Sequence, residues 1–175
     1  MFSNPEQNIE KVHIDPGMKV ADLGAGSGFY SIAAAKLTGP SGRVYAIDVQ
    51  KDLLEKIKNQ SLSQGISNIE LVWADLDEPN GTKLADNLVD RVVVANVLFQ
   101  VEDKDALVVE AKRILKSGGK LLFIDWSDSY GGVGPQQSEI VRPDVGRVLF
   151  EEHGFKFEKD IEVGEHHYGL IFKLS

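Results

Sequence analysis

Apolar residues along this chain come in two spacings that take turns. Runs rich in apolar residues at 19–23, 43–48, 68–74, 88–95 and 120–126 have the length of strands, and the near-continuous run at 120–126 is of the kind found in sheets covered on both faces. Between them lie stretches whose apolar positions fall three and four apart, the spacing of one helix face. Residues 28–37, 51–64 (Leu53, Leu54, Ile57) and 104–115 (Leu107, Ala111, Ile114, Leu115) are of this kind. Residues 5–13 read as a short helix ahead of the first strand. Turn chemistry punctuates the series: Gly39-Pro40-Ser41-Gly42 introduces the second strand, Gly65 stops the second long helix, Asp103 offers an N-cap, and Gly118-Gly119 sits at the C-terminal end of the helix over 104–115. Residues 143–153 then predict a helix, and 155–163 and 167–174 two strands. Only Gly164-Glu165-His166 joins those strands, too short a connection to cross over, so they form an antiparallel hairpin.

Alternating strands and helices predict an α/β fold: a Rossmann-like, doubly wound, mostly parallel seven-stranded sheet with a C-terminal antiparallel hairpin. The 175 residues fit a single domain spanning 1–175, with residues 1–15 a short N-terminal lead. No apolar run approaches the ~20 residues a membrane span needs, and the start lacks the basic and apolar regions of a secretory signal. A cytoplasmic location is the expectation. The absence of cysteine excludes disulfides, thiolate metal sites and a cysteine nucleophile. A formal charge of −8 opposes wholesale attraction to nucleic acid or anionic lipid. The densest basic stretch, residues 112–120, falls at a predicted helix end, where cations meet the negative end of the helix dipole.

The chemistry gathers behind the first strand, in VADLGAGSGFYSI. Gly24, Gly26 and Gly28, with Ala25 and Ser27 between them, let backbone approach a ligand and aim the N–H groups of a helix N-terminus at it. The dinucleotide fingerprint requires a third glycine where this chain has Phe29, and the P-loop's Gly-Lys-Ser/Thr is missing. Asp22, two residues before the first glycine, is a poor neighbour for a pyrophosphate but suits a ligand with an ammonium group. S-adenosylmethionine (SAM) carries one, together with a carboxylate for the N–H groups, a ribose and an adenine. Asp48, followed by Val49, ends the second strand at the place where a Rossmann-like fold puts the carboxylate that grips ribose hydroxyls.

On these residues the chain resembles the class I SAM-dependent methyltransferases, over nearly its whole length. The resemblance implies that the Asp75 side chain and the Leu76 backbone meet the adenine and that Asn96 lies beneath the methionine part. The segment after the fourth strand, Asn96-Val97-Leu98-Phe99, lacks the prolines that accompany methylation of amide or exocyclic amino nitrogens. The fragments ANVLFQVED and ILKSGGKLLFIDW resemble instead the type 11 and ubiquinone/menaquinone-biosynthesis methyltransferases. The implied activity is methyl transfer (EC 2.1.1.-) to an unidentified acceptor, a small organic molecule being favoured.

Topology suggests where catalysis happens. The end of the fifth strand at Trp126 and the hairpin turn share one rim, which brings Tyr130 of a glycine-rich loop near His166 and His167. These three are the catalytic candidates, a histidine serving to deprotonate a hydroxyl or enol. Adjacent strand residues face opposite ways, so His166 and His167 make no chelating pair and no metal is expected. Few residues precede the first strand and no long insertion occurs elsewhere, so the expectation is a lid that is short or missing. An open site also suits a homodimer, an RNA or protein acceptor, or a non-catalytic SAM-binding subunit, while an NAD(P)-dependent oxidoreductase would need the fingerprint that Phe29 interrupts.

Overall fold

The computed structural model describes residues 3–175; Met1 and Phe2, at the start of the predicted lead, lie outside the described residues. The elements run α1 (Pro5–Glu10), β1 (Lys19–Leu23), α2 (Phe29–Thr38), β2 (Arg43–Asp48), α3 (Lys51–Ser63), β3 (Ile69–Trp73), β4 (Val89–Ala95), α4 (Lys104–Ile114), β5 (Leu115–Trp126), α5 (Pro143–Glu152), β6 (Phe155–Ile161) and β7 (His167–Leu174). The strands form one seven-stranded sheet in the order β3-β2-β1-β4-β5-β7-β6. β1 to β5 pair in parallel, and β7 inserts antiparallel between β5 and β6. The predicted hairpin and the doubly wound order are therefore both present.

Strand parity sorts the side chains into two layers. Ala21, Leu23, Val92, Val94, Leu121, Phe123, Leu170 and Phe172 face Leu107, Ala111 and Ile114 of α4 and Phe150 of α5. Phe150 centres this layer, its ring 5.1 Å from Phe123 and 4.8 Å from Phe172. On the other face Val20, Val44, Val93, Leu122, Ile124 and Ile171 meet Ile9 of α1 and Ala33, Ala34 and Ala35 of α2, while Ala46 meets Leu54 and Ile57 of α3. Alanine at three successive positions lets α2 lie close to the sheet centre, where most of the helix is buried. Asp103 caps α4, accepting the Ala106 N–H at 2.9 Å as expected.

The predicted role of Gly118-Gly119 is corrected. α4 ends at Ile114, and Leu115 is already extended (φ −81°, ψ 134°) and paired with Val89. The register then jumps from Val89↔Leu115 to Arg91↔Lys120, so residues 116–119 bulge out of β5, with Gly118 at φ 76°. The glycines serve a bulge inside a strand, not a helix end. Arg113 in the last turn of α4 donates to Leu84 O and Asp86 Oδ1, both at 2.6 Å, and to Glu110 Oε1 at 2.7 Å. These bonds, with the hydrogen bond from Thr82 to buried Glu110, fix the connection between β3 and β4.

Gly28 caps α2 at φ 81°, and a Cβ there would stand 2.5 Å from Ile57 Cγ1 of α3. Gly65 also has positive φ, 68°, but open space around it. Gly28→Ala is expected to cost about 2–4 kcal/mol, left-handed strain plus overpacking, and Gly65→Ala about 1 kcal/mol. Urea unfolding of both variants checks this; equal losses would show that Ile57 yields freely.

Candidate functional site

The carboxyl ends of β1 to β4 open into a cavity of about 550 Å3, at the switch point where the sheet order turns from β1 to β4. Gly24, Ala25, Gly26 and Ser27 form one wall, Asp48 and Val49 the next, Asp75 and Leu76 a third, and Asn96 the floor beside β4. Ten of the predicted site residues line it, the tenth being His167.

The glycine loop is tied down from both sides. Gly24 and Ala25 both donate to Ile47 O, at 2.9 and 2.8 Å, which closes the loop onto the end of β2. The Gly26 N–H donates to Asp48 Oδ2 at 2.9 Å, and Asp48 Oδ1 accepts the Gln50 N–H at 2.8 Å. One carboxylate therefore binds two loops together, and each of its oxygens retains a lone pair for a hydroxyl. A Cβ on Gly24 would meet Val97 Cγ2 at 2.4 Å, whereas a Cβ on Gly26 would meet nothing nearer than 4.0 Å. Gly24 is thus required by packing on the β4–α4 loop, whereas the space at Gly26 opens into the cavity.

Four predicted site residues do not line the cavity. Gly28 serves the contact with Ile57 described above. Asp22 is 2% exposed and accepts the Ser31 hydroxyl at 2.7 Å, so it is held against the first turn of α2, beneath the loop. Parity explains it: Asp22 shares its face with Val20, which looks at α2. Burial pushes the Asp22 carboxyl up to about 6, against the lowering effect of the Ser31 hydrogen bonds and with a further rise from the Asp48 charge. His166 takes φ 65° at the hairpin turn, and its Nδ1 lies 2.7 Å from Asp128 Oδ1. Its ring stacks on Tyr130 at 4.1 Å, so His166 and Tyr130 form a pair outside the cavity.

His167 does face the cavity. It pairs in register with Trp126, and the two rings lie 4.2 Å apart. Its Nδ1 is 3.0 Å from Glu165 O, a carbonyl that only accepts, so Nδ1 carries the hydrogen and Nε2 is the basic nitrogen. Burial lowers the ring's pKa from its ordinary value and so favours the neutral form. The backbone at Gly134 returns against the indole, where a Cβ would fall 2.7 Å from Trp126 Cε2.

The N-terminal lead also reaches the site. Ser3 and Pro5 line the cavity beside Tyr30 of α2. Asn8, 2% exposed, donates to Ser3 Oγ at 2.8 Å, to the Tyr30 hydroxyl at 3.2 Å and to Val163 O at 3.3 Å. The sequence signal for this segment was the Asn4 cap with Pro5 in the first turn, since the Asn4 side chain accepts the Gln7 N–H. Among the described residues no group of His, Asp and Glu could hold a metal ion, and no helix is long and apolar enough to cross a membrane.

The family described as "Methyltransferase domain" matches residues 14–142. The chain belongs to this family. The ubiquinone/menaquinone biosynthesis C-methyltransferase UbiE of Bordetella avium is 35% identical over 119 residues, which is 68% of this chain and 45% of that protein. UbiE of Shewanella halifaxensis is 31% identical over 85% of this chain and 53% of its own length. The chain thus spans about half the length of the curated relatives it matches. A SAM-dependent methyltransferase from Aquifex aeolicus superposes with a TM-score of 0.89 at 27% identity, covering 99% of this chain and 91% of that one.

SAM is the cofactor this family implies, and the methyltransferase domain's cavity fits it. The open space at Gly26, the remaining lone pairs on Asp48 and the edge position of Asp75 are a donor and acceptor set for a nucleoside bearing a charged tail. Asn96, held at φ 57°, adds a polar side chain at the floor.

The raised Asp22 pKa has a consequence for stability. The unfolded carboxyl ionises near 3.8 and the folded one near 6, so the folded chain holds the proton through that window. Its stabilisation is complete below the lower value and lost as pH rises through the upper. Asp22→Asn is expected to remove a fall of up to about 3 kcal/mol between those values. Urea midpoints from pH 4 to 7 check this; parallel curves for the two proteins would contradict it.

Proposed function

We propose that this methyltransferase domain binds SAM along the carboxyl edge of the sheet and transfers its methyl group to a small organic acceptor lying against Trp126. The observation that carries this reading is the alignment of the glycine loop, Asp48, Asp75 and Asn96 at the ends of four adjacent strands around one cavity. When bound, SAM supplies an electrophilic methyl group on a sulfonium. On this reading Asp48 accepts the ribose hydroxyls, the Asp75 side chain and the Leu76 amide meet the adenine, and Ser27 with the first turn of α2 offers N–H groups to the carboxylate. Asn96 lies beside the methionine part. Alignment of the acceptor supplies much of the acceleration in such a displacement, and Trp126 and Gln100 lie where they would provide it. His167 Nε2 takes the proton of an acceptor whose hydroxyl or enol must lose one. His166 and Tyr130 support the turn from which His167 projects. A small acceptor is further supported by the UbiE relatives and by the −8 charge, which disfavours RNA.

Calorimetric titration tests the cofactor. The domain should bind SAM in the micromolar range and NADH not at all, and Asp48→Ala should weaken SAM at least tenfold, about 1.4 kcal/mol. NADH binding in place of SAM would overturn the proposal. Once an acceptor is found, His167→Ala should lower kcat by about 10²-fold or more with SAM affinity unchanged, the scale of a lost general base. A wild-type rate would remove His167 from the chemistry.

A further inference from the structure

Among the described residues, two buried side-chain oxygens have no hydrogen-bond partner, Asn96 Oδ1 and Asp125 Oδ2. They belong to neighbouring positions. Ala95 pairs with Ile124 as the last rung of β4 on β5, and the Asn96 N–H donates to Ile124 O at 2.9 Å, so Asn96 and Asp125 follow side by side. Asp125 sits on the α4 and α5 face with Phe123 and Tyr168, 1% exposed. Two buried, unpartnered acceptors at neighbouring strand ends are each costly. They become a donor and an acceptor if one of them carries a proton, and of the two only a carboxyl group can.

We propose that Asp125 carries a proton and donates it from Oδ2 to Asn96 Oδ1, making Asp125 the positioning residue for the cavity floor. The bond satisfies both oxygens at once. It fixes the Asn96 side chain, whose backbone is held in the left-handed region at φ 57°. Asp125 Oδ1 meanwhile accepts the N–H of Trp126 at 2.8 Å, so the same carboxyl joins the floor of the cavity to its aromatic wall. Burial raises the group to about 7, outweighing the amides of Trp126, Phe99 and Leu98 and the Lys104 charge, all of which favour the ionised form. Lys104 from α4 is the charged group that acts on it, and Tyr168 from β7 faces it, the Asp125 and Asp144 charges raising the Tyr168 hydroxyl in turn. If SAM binding uses the floor that this bond fixes, affinity must fall as pH rises through the Asp125 midpoint.

This inference rests on SAM as the ligand, and two readouts separate its failure from the failure of that reading. In calorimetric titrations from pH 5.5 to 9, wild-type affinity for SAM should fall about three- to tenfold above pH 7, the scale of one lost hydrogen bond. Asp125→Asn keeps an acceptor for Trp126 and a donor for Asn96, so it should bind as the wild type does at low pH across the whole range. Asp22 titrates alike in both proteins, so the difference between them is what is read. Profiles that coincide would overturn the proposal. In the ligand-free wild type, the Asp125 carboxyl carbon, assigned by NMR through its backbone connectivity, should titrate near neutrality. A midpoint below 5 would overturn it by leaving a charged Asp125 that accepts from a turned Asn96 amide. Absence of SAM binding at every pH in both proteins would overturn the functional reading, and the positioning role with it.

Discussion

The Asp48 carboxylate takes the Gly26 N–H on one oxygen and the Gln50 N–H on the other, and the shape of the site follows from that double acceptance. Without it the glycine loop would keep its hydrogen bonds to Ile47 and its packing on Val97 and Ile57, but would lose its hydrogen-bonded link to the loop leading into α3. An acid at this position does two jobs with one group. It organises the loop through one lone pair on each oxygen and keeps the other pair for a ligand. Burial does not prevent this, because both bonds it makes are to backbone amides of the loops it joins.

Parity then assigns every other side chain at the rim. Odd and even positions of the strand ends face different helix layers, so Asp22 and Asp125 are buried on opposite faces of the sheet. Asp48, Trp126 and His167 emerge into the cavity. Both buried acids have raised pKa values, because each is taken out of water by a helix or a loop packed over it. The methyltransferase edge thus combines acids that line the cavity, Asp48 and Asp75, with acids buried away from it, Asp22 and Asp125, that hold the elements in place. Sequence position alone does not tell the two apart.

That distinction marks how far the sequence could be read. Strand and helix order was legible because buried parallel strands are apolar throughout and the helices keep a 3.6-residue stripe, as in KLLFIDW and in Leu107, Ala111 and Ile114. The hairpin was legible from the three-residue connection. That Asp48, Asp75 and Asn96 gather at one rim was legible because each ends or closely follows a parallel strand. Asp22 was misread because burial on the α2 face is a property of the assembled layers, and the bulge at residues 116–119 because two glycines after a helix suit either role. His166 and Tyr130 were placed on the correct rim, yet the left-handed turn at His166 directs their stacked pair away from the cavity. The N-terminal segment was undervalued, since its place in the site comes from three hydrogen bonds of one buried residue, Asn8.

The central claim is that one strip along the carboxyl edge of β1 to β4 receives the cofactor. Backbone amide NMR of the protein titrated with S-adenosylhomocysteine, the methyl-depleted product, tests it most directly. Shifts concentrated at Gly24–Ser27, Val49–Gln50, Asp75–Asp77 and Asn96–Val101 are the predicted result. Shifts centred on α5 and β6, with the glycine loop unmoved, would contradict it.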